Sequence, residues 1–236
     1  MVDYNAHNHA QPAILPPAIY QQAEAAAAEG QERFFFPVID SRMTREQALA
    51  QNPAFPAPQE VIDNQKLLWV TYWGLNAEGQ PDKRMHIGQI VVAKQVANDV
   101  QFFFNEARRL RFPIAHAIPA AAPQYGWSDA KMMADNNTSG YNFRTIAGST
   151  NLSNHAKGLA FDVNTFLNPY IYVDNDGQII NDPPGATYDP SKPGTLSKDH
   201  PLVKAMKQRG WTWGGDWTLE NDEVIDYQHF EKPGAQ

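Results

Sequence analysis

Between residues 153 and 162 the chain reads Ser153-Asn154-His155-Ala156-Lys157-Gly158-Leu159-Ala160-Phe161-Asp162, and this stretch leaves the backbone little choice. His155 and Asp162 are seven positions apart, an odd offset. On one unbroken strand their side chains would face opposite ways. Gly158 can supply the bend that brings them to one side, because glycine enters positive-φ conformations without steric cost. Beyond the bend the pattern is that of a strand, with Leu159, Phe161 and Val163 toward a core and Ala160 and Asp162 on the other face. An imidazole and a carboxylate on an open face, beside a residue as small as alanine, have the chemistry and the room of metal ligands.

A second imidazole lies far along the chain in Val224-Ile225-Asp226-Tyr227-Gln228-His229-Phe230, with an acid three residues before it. Catalytic zinc sites use three protein ligands and leave a fourth position to water. His155, Asp162 and His229 supply such a set, for one Zn2+ per chain. Two neutral imidazoles and one carboxylate would leave that site with a single net positive charge, which favours acidification of bound water. The chain has no cysteine, so disulfides and thiolate sites are excluded and a catalytic zinc is favoured over a structural one. Asp226, brought near the ion by a turn in the chain, is placed to act as general base.

The composition allows this. The 236 residues are 42% hydrophobic and 19% charged, as in an ordinary globular protein. A net charge of −7 argues against broad attraction to nucleic acid or to anionic membranes. No stretch reaches the roughly 18 apolar residues of a membrane span. Met1 to Tyr20 lack a basic segment followed by an apolar run, so no secretory signal is expected. A monomer is expected.

Two further stretches complete a pattern. Asn136-Asn137-Thr138-Ser139-Gly140-Tyr141-Asn142-Phe143-Arg144 precedes the first imidazole, and Gly210-Trp211-Thr212-Trp213-Gly214-Gly215-Asp216-Trp217 precedes the second. Together with the two ligand stretches, and in the same order, these resemble the zinc peptidases of the D-alanyl-D-alanine carboxypeptidase and L-alanyl-D-glutamate endopeptidase family over roughly residues 85–232. The resemblance implies zinc on His155, Asp162 and His229, Asp226 as the base, and Arg144 as a contact to substrate or to the developing oxyanion. It also suggests Ser153 as a contact to substrate or to the ligand loop. The substrate it implies is a peptidoglycan stem peptide, cut either after L-alanine or at the terminal D-alanine. The fold it implies is α+β and hedgehog/DD-peptidase-like: a small antiparallel sheet, helices packed on one face and a zinc cleft on the other. Hedgehog signalling domains share that fold, so a non-catalytic zinc-containing binding module is the competing expectation. A cell-wall substrate would require the protein to leave the cytoplasm by lysis, by a phage-type pore or by dedicated secretion.

Other residues of these stretches also have structural explanations. Ser153 suits a turn, and Arg144 suits a surface ion pair. Asp216 is a candidate to orient a ligand imidazole from behind the ligands. Trp213 and Trp217 are candidates to wall the substrate cleft, with core packing the expected use of at least one.

The chain is expected to divide into an N-terminal extension, 1–65, and a peptidase domain, 66–236. In the extension, His7 and His9 read as part of a solvated tail, Ile19 to Glu29 as a short helix stopped by Gly30, and Phe34-Phe35-Phe36-Pro37-Val38 as an anchor to the domain. Thr44 and Gln47 have capping-box spacing. Leu67 to Trp73 and Ile87 to Ala93 read as strands. Val96 to Leu110 reads as the helix behind the sheet, because Val96, Val100, Phe103, Phe104, Ala107 and Leu110 follow the 3.6-residue period. Ser128 should cap a helix through Ala134, Asn136 to Gly140 should form a polar loop, and Tyr170 to Ile180 should form a hairpin about Asp174-Asn175-Asp176-Gly177. Asp199 should cap a helix with Pro201 in its first turn. His116 reads as a core histidine, and His86 and His200 as ordinary element-end residues.

Overall fold

A computed structural model describes residues 16–21, 25, 37–146, 149–220 and 224–234. His7, His9 and Phe34 to Phe36 lie outside the described residues. Of the helix expected over 19–29, residues 19–21 and 25 are described, and they are helical.

The architecture is α+β, with several small sheets in place of the single antiparallel one expected. Two long strands, β2 (Gln65–Leu75) and β3 (Pro81–Ala93), form an antiparallel hairpin. Strands β1 (Val38–Ile39) and β4 (Pro113–Ile114) each add to it in parallel, in the order β1-β3-β2-β4. The connecting turn is shorter than the sequence suggested, because the Asn76 side chain accepts from the amides of Glu78 and Gln80 and closes it locally. The stretch that precedes β2 shares this body. Helix α1 (Arg45–Ala48) carries the expected capping box between Thr44 and Gln47. Ala48, Leu49 and Ala57 pack with Ile62 of α2 (Gln59–Asp63) against Val91, Tyr141, Phe143 and Ala156. Gln65 ties it further, donating to the carbonyls of Val61 and Lys157.

Helix α3 (Ala97–Arg109) buries the periodic face that the sequence marked: Val100, Phe103, Phe104 and Ala107. Its aromatic residues reach a second sheet, which holds the site. Strand β7 (Ala160–Asp162) pairs with β12 (His229–Glu231), and β12 pairs with β10 (Thr212–Trp213), all antiparallel. Phe161 lies 5.1 Å from Phe103, 5.2 Å from Phe230 and 5.2 Å from Trp211, ring centre to ring centre. Because side chains alternate along a strand, anchoring Phe161 and Phe230 in the core turns Ala160, Asp162, His229 and Glu231 to the opposite face.

The hairpin β8 (Tyr170–Val173) and β9 (Ile179–Asp182) forms as expected and is extended by β11 (Val224–Asp226). Helix α4 (Asp129–Ala134) is capped by Ser128, as the sequence implied. The polar stretch after it is not a loop. Asn137–Thr138 form β6, paired in parallel with β5 (His116–Ala117), and Ser139 bridges Asp162. Polar side chains persist there because each has a buried partner. The Asn137 amide accepts from Ile118 N–H and donates to Ile118 O, and Thr138 accepts from Asn164 N–H. Helix α5 (Pro201–Gln208) is capped by the His200 imidazole, which accepts from Leu202 N–H, and not by Asp199, which pairs with Lys204. His86 is not an element-end residue either: it is buried within β3, between the carboxylates of Asp40 and Asp82, at 2.8 Å from each.

Candidate metal centre

The bend before β7 is built as its sequence required. Ser153 begins a short 3-10 turn, Asn154–Lys157, and its hydroxyl accepts from His155 N–H. Gly158 ends the turn with φ +70°, and a Cβ there would lie 2.1 Å from Gln65 Oε1 and 2.6 Å from the Ala93 amide nitrogen. Both its conformation and its surroundings therefore exclude a side chain. After this reversal Asp162 stands directly opposite His229 in the β7–β12 register.

His155, Asp162 and His229 come together as a buried group. His155 Nε2 lies 3.2 Å from Asp162 Oδ2 and 3.2 Å from His229 Nδ1, and His229 Nδ1 lies 3.1 Å from Asp162 Oδ1. A tetrahedral ion with ligands at about 2.0–2.1 Å would set those ligands about 3.3 Å apart, so each imidazole nitrogen stands at coordination spacing from the other and from one Asp162 oxygen, Oδ2 for His155 and Oδ1 for His229. Each ring is held from behind. His155 Nδ1 lies 2.7 Å from the Gly140 carbonyl, which can only accept, so Nδ1 carries the proton and Nε2 faces inward. His229 Nε2 lies 3.2 Å from Glu231 Oε2, which leaves Nδ1 facing inward.

Protons alone cannot satisfy this triangle. With Asp162 ionised, a proton on both inward nitrogens makes the His155–His229 edge repulsive. With only one, a lone pair faces the carboxylate. A cation at the centre makes all three edges favourable, and this is the physical case that the residues fit a metal. The titrations agree in direction. Burial alone would raise the Asp162 carboxyl, but the two imidazoles outweigh it and hold it far below the usual carboxylate range. Burial alone would depress His229, but Asp162 and Glu231 push it up to about 10. Glu231 is drawn down to about 2, chiefly by its contact with His229. Such a carboxylate-rich pocket attracts a dication, which would displace the extra proton.

Asp226 ends β11 and is joined to His229 by the turn Tyr227-Gln228. Its backbone and Cβ press on the 3-10 turn Gly214–Asp216, where a Cβ on Gly214 would lie 2.5 Å from the Asp226 carbonyl oxygen. The first glycine of the Gly214-Gly215 pair thus makes room for the acid. Asp226 Oδ1 is buried without a hydrogen-bond partner among the described residues, and burial pushes the carboxyl up to about 7, with His229 opposing and Asp162 and Asp129 adding to the rise.

The remaining candidates are placed less uniformly. The Arg144 guanidinium pairs with Asp129 at 2.8 Å and donates to the Thr145 carbonyl, while its Nε is buried without an acceptor among the described residues. Trp217 lies beside His229, ring centres 5.6 Å apart, and is part-exposed. Trp213 is not a cleft wall: it is fully buried, and its Nε1 donates to the Tyr227 carbonyl. Asp216 does not orient an imidazole. It is exposed and pairs with Lys207 of α5, because the 3-10 turn directs it outward. The carboxylate that does meet a ligand imidazole is Glu231, which sequence reasoning passed over. Its signal was the two-residue step from His229, which on a strand puts both on one face. Asn154, whose amide donates to Glu231 Oε2 at 2.7 Å, was also missed, as was the Gly140 carbonyl.

No curated protein and no solved structure matches the chain. A family model described as D-alanyl-D-alanine carboxypeptidase matches residues 147–232. That stretch contains His155, Asp162, Asp226, His229 and Glu231, and it starts just after Arg144. Over this third of its length, the part that holds the whole candidate metal centre, the chain is similar to a family of peptidases.

Proposed function

We propose that the protein is a zinc peptidase acting on peptidoglycan stem peptides, as a D-alanyl-D-alanine carboxypeptidase or an L-alanyl-D-glutamate endopeptidase. The observation that carries this is a buried pair of imidazole nitrogens 3.2 Å apart, each 3.1–3.2 Å from one oxygen of the Asp162 carboxylate, with Asp226 three residues from one of them, its Oδ1 buried without a hydrogen-bond partner among the described residues. The donor set of two imidazoles and one carboxylate, without a thiolate, is that of a catalytic zinc site. Zinc held there supplies Lewis acidity and a water of lowered pKa.

The other tasks of peptide hydrolysis fall to this chain's own side chains. Asp226, with a carboxyl near neutrality, is suited to accept a proton from the attacking water and return it to the departing amine. Arg144 is the candidate to contact substrate carbonyl or carboxylate oxygens. Its guanidinium is steadied by Asp129 at 2.8 Å, and its forked donors suit such oxygens. Trp217, part-exposed beside His229, offers an apolar wall to a bound peptide. Ser153 acts on the ligand loop, by fixing the turn that carries His155.

The test is digestion of purified peptidoglycan by the native protein and by Asp226→Ala, with mass spectrometry of the released fragments. Free D-alanine identifies the carboxypeptidase, and new amino termini on D-glutamate identify the endopeptidase. A native protein that retains zinc but releases neither is a binding module.

A further inference from the structure

The face of β7 and β12 that carries the ligands also carries a second pair, one step along the register. His229 stands opposite Asp162, and Glu231 stands opposite Ala160. Ala160 is small, and Glu231 lies on the same face as the ligands. From there Oε2 meets two donors, His229 Nε2 at 3.2 Å and Asn154 Nδ2 at 2.7 Å. Asn154 is the residue immediately before His155, on the same 3-10 turn. One carboxylate oxygen therefore joins the turn that bears one ligand to the ring of another, across 77 residues of sequence.

We infer that Glu231, clasped by Asn154, is the positioning residue of the centre: it fixes His229 with its proton on Nε2, so that the Nδ1 lone pair is presented inward, and it locks the two ligand segments in register. The two histidines would then ligate through different atoms, His155 through Nε2 and His229 through Nδ1. The difference has a local cause. The acceptor behind His155 is the Gly140 carbonyl at Nδ1, whereas the acceptor behind His229 is a carboxylate at Nε2. An imidazole with one nitrogen committed as a donor has only the other left for a metal. The carboxylate also lies outside the three ligands, so its charge offsets the single net positive charge that Zn2+ would leave there. This inference rests on the metal reading of the centre and does not depend on which peptide bond is cut.

The experiment compares the native protein with Glu231→Ala, Glu231→Gln and Asn154→Ala, each checked for native circular dichroism. Zinc affinity is measured by competition with a chromophoric chelator. The His229 ring nitrogens are followed in the zinc-loaded, 15N-labelled protein by long-range proton–nitrogen correlation. Glutamine keeps an oxygen that can accept from both His229 Nε2–H and Asn154, so Glu231→Gln should hold zinc within about threefold of native, and a slowly exchanging Nε2–H should persist. Glu231→Ala should weaken zinc by about 10–100-fold and release that proton to fast exchange. Asn154→Ala should fall between them. Native-like zinc affinity in Glu231→Ala, or metal on Nε2 of His229 in the native protein, would overturn the clasp while leaving the metal centre standing. A native protein that binds no zinc would remove the centre itself and the clasp with it.

Discussion

Replacing Asp226 with asparagine tests two properties of one buried carboxyl. In the metal-free folded protein burial raises this group to about 7, against about 3.9 in an unfolded chain. The folded state then holds the proton more tightly than the unfolded state, so stability falls as pH rises through the interval between the two values. From the two pKa values, the ionised side chain costs little at pH 4 and about 4 kcal/mol at pH 8. The upper figure is a ceiling, because part of the residue meets solvent while Oδ1 is sealed. Asp226→Asn removes the titration. Urea unfolding of the chelator-treated proteins should show the two nearly equal at pH 4 and the variant more stable by up to about 4 kcal/mol at pH 8. Zinc should narrow the gap, since a nearby dication favours the carboxylate. The same substitution should lower the rate of peptide release by about 10²–10⁴-fold, so the variant would be the more stable and the less active. Parallel pH–stability curves for the two proteins from pH 4 to 8 would refute the buried-carboxyl argument. A variant with native turnover would refute its role as base.

Other perturbations probe the frame around the centre. Phe161→Ala empties the space between Phe103, Phe230 and Trp211 and should cost about 3–5 kcal/mol in urea unfolding, with weaker zinc binding because Asp162 is the next residue. Gly158→Ala places a Cβ against Gln65 and the Ala93 amide at positive φ. A loss of about 1–3 kcal/mol is expected, and a neutral result would contradict the built geometry. His86 is depressed by burial but raised overall by Asp40 and Asp82, so its contribution is complete below about pH 6.5 and is lost as pH rises through its folded value. His86→Gln should therefore destabilise more at pH 5.5 than at pH 9, measured by thermal unfolding. Trp217→Ala, which removes the ring beside His229, should raise KM for a stem peptide more than it lowers kcat.

The sequence was most legible where one local rule decided the outcome. The odd spacing from His155 to Asp162 demanded a reversal, and Gly158 makes it at φ +70°. The 3.6-residue stripe in α3 foretold its buried face, and the alternation about Phe161 foretold the core side of β7, although the other face, expected to be open, is also buried at Ala160 and Asp162. Local rules failed where partners come from elsewhere in the chain. Asn137 and Thr138 read as loop because they are polar, yet they form a buried strand whose side chains bond Ile118 and Asn164. Asp216 read as a support for a ligand imidazole, yet it pairs with Lys207 of α5.

By itself the sequence determined which donors exist, that no thiolate competes with them, and where the backbone must reverse to turn a carboxylate outward, because residue type and strand parity are local properties. The tertiary structure decided that His229 faces Asp162 while Glu231 faces Ala160, and with it which nitrogen of each ring points inward. That choice depends on the register between strands about 70 residues apart, and a register is set by the packing of Phe161 and Phe230 against a helix whose sequence mentions neither.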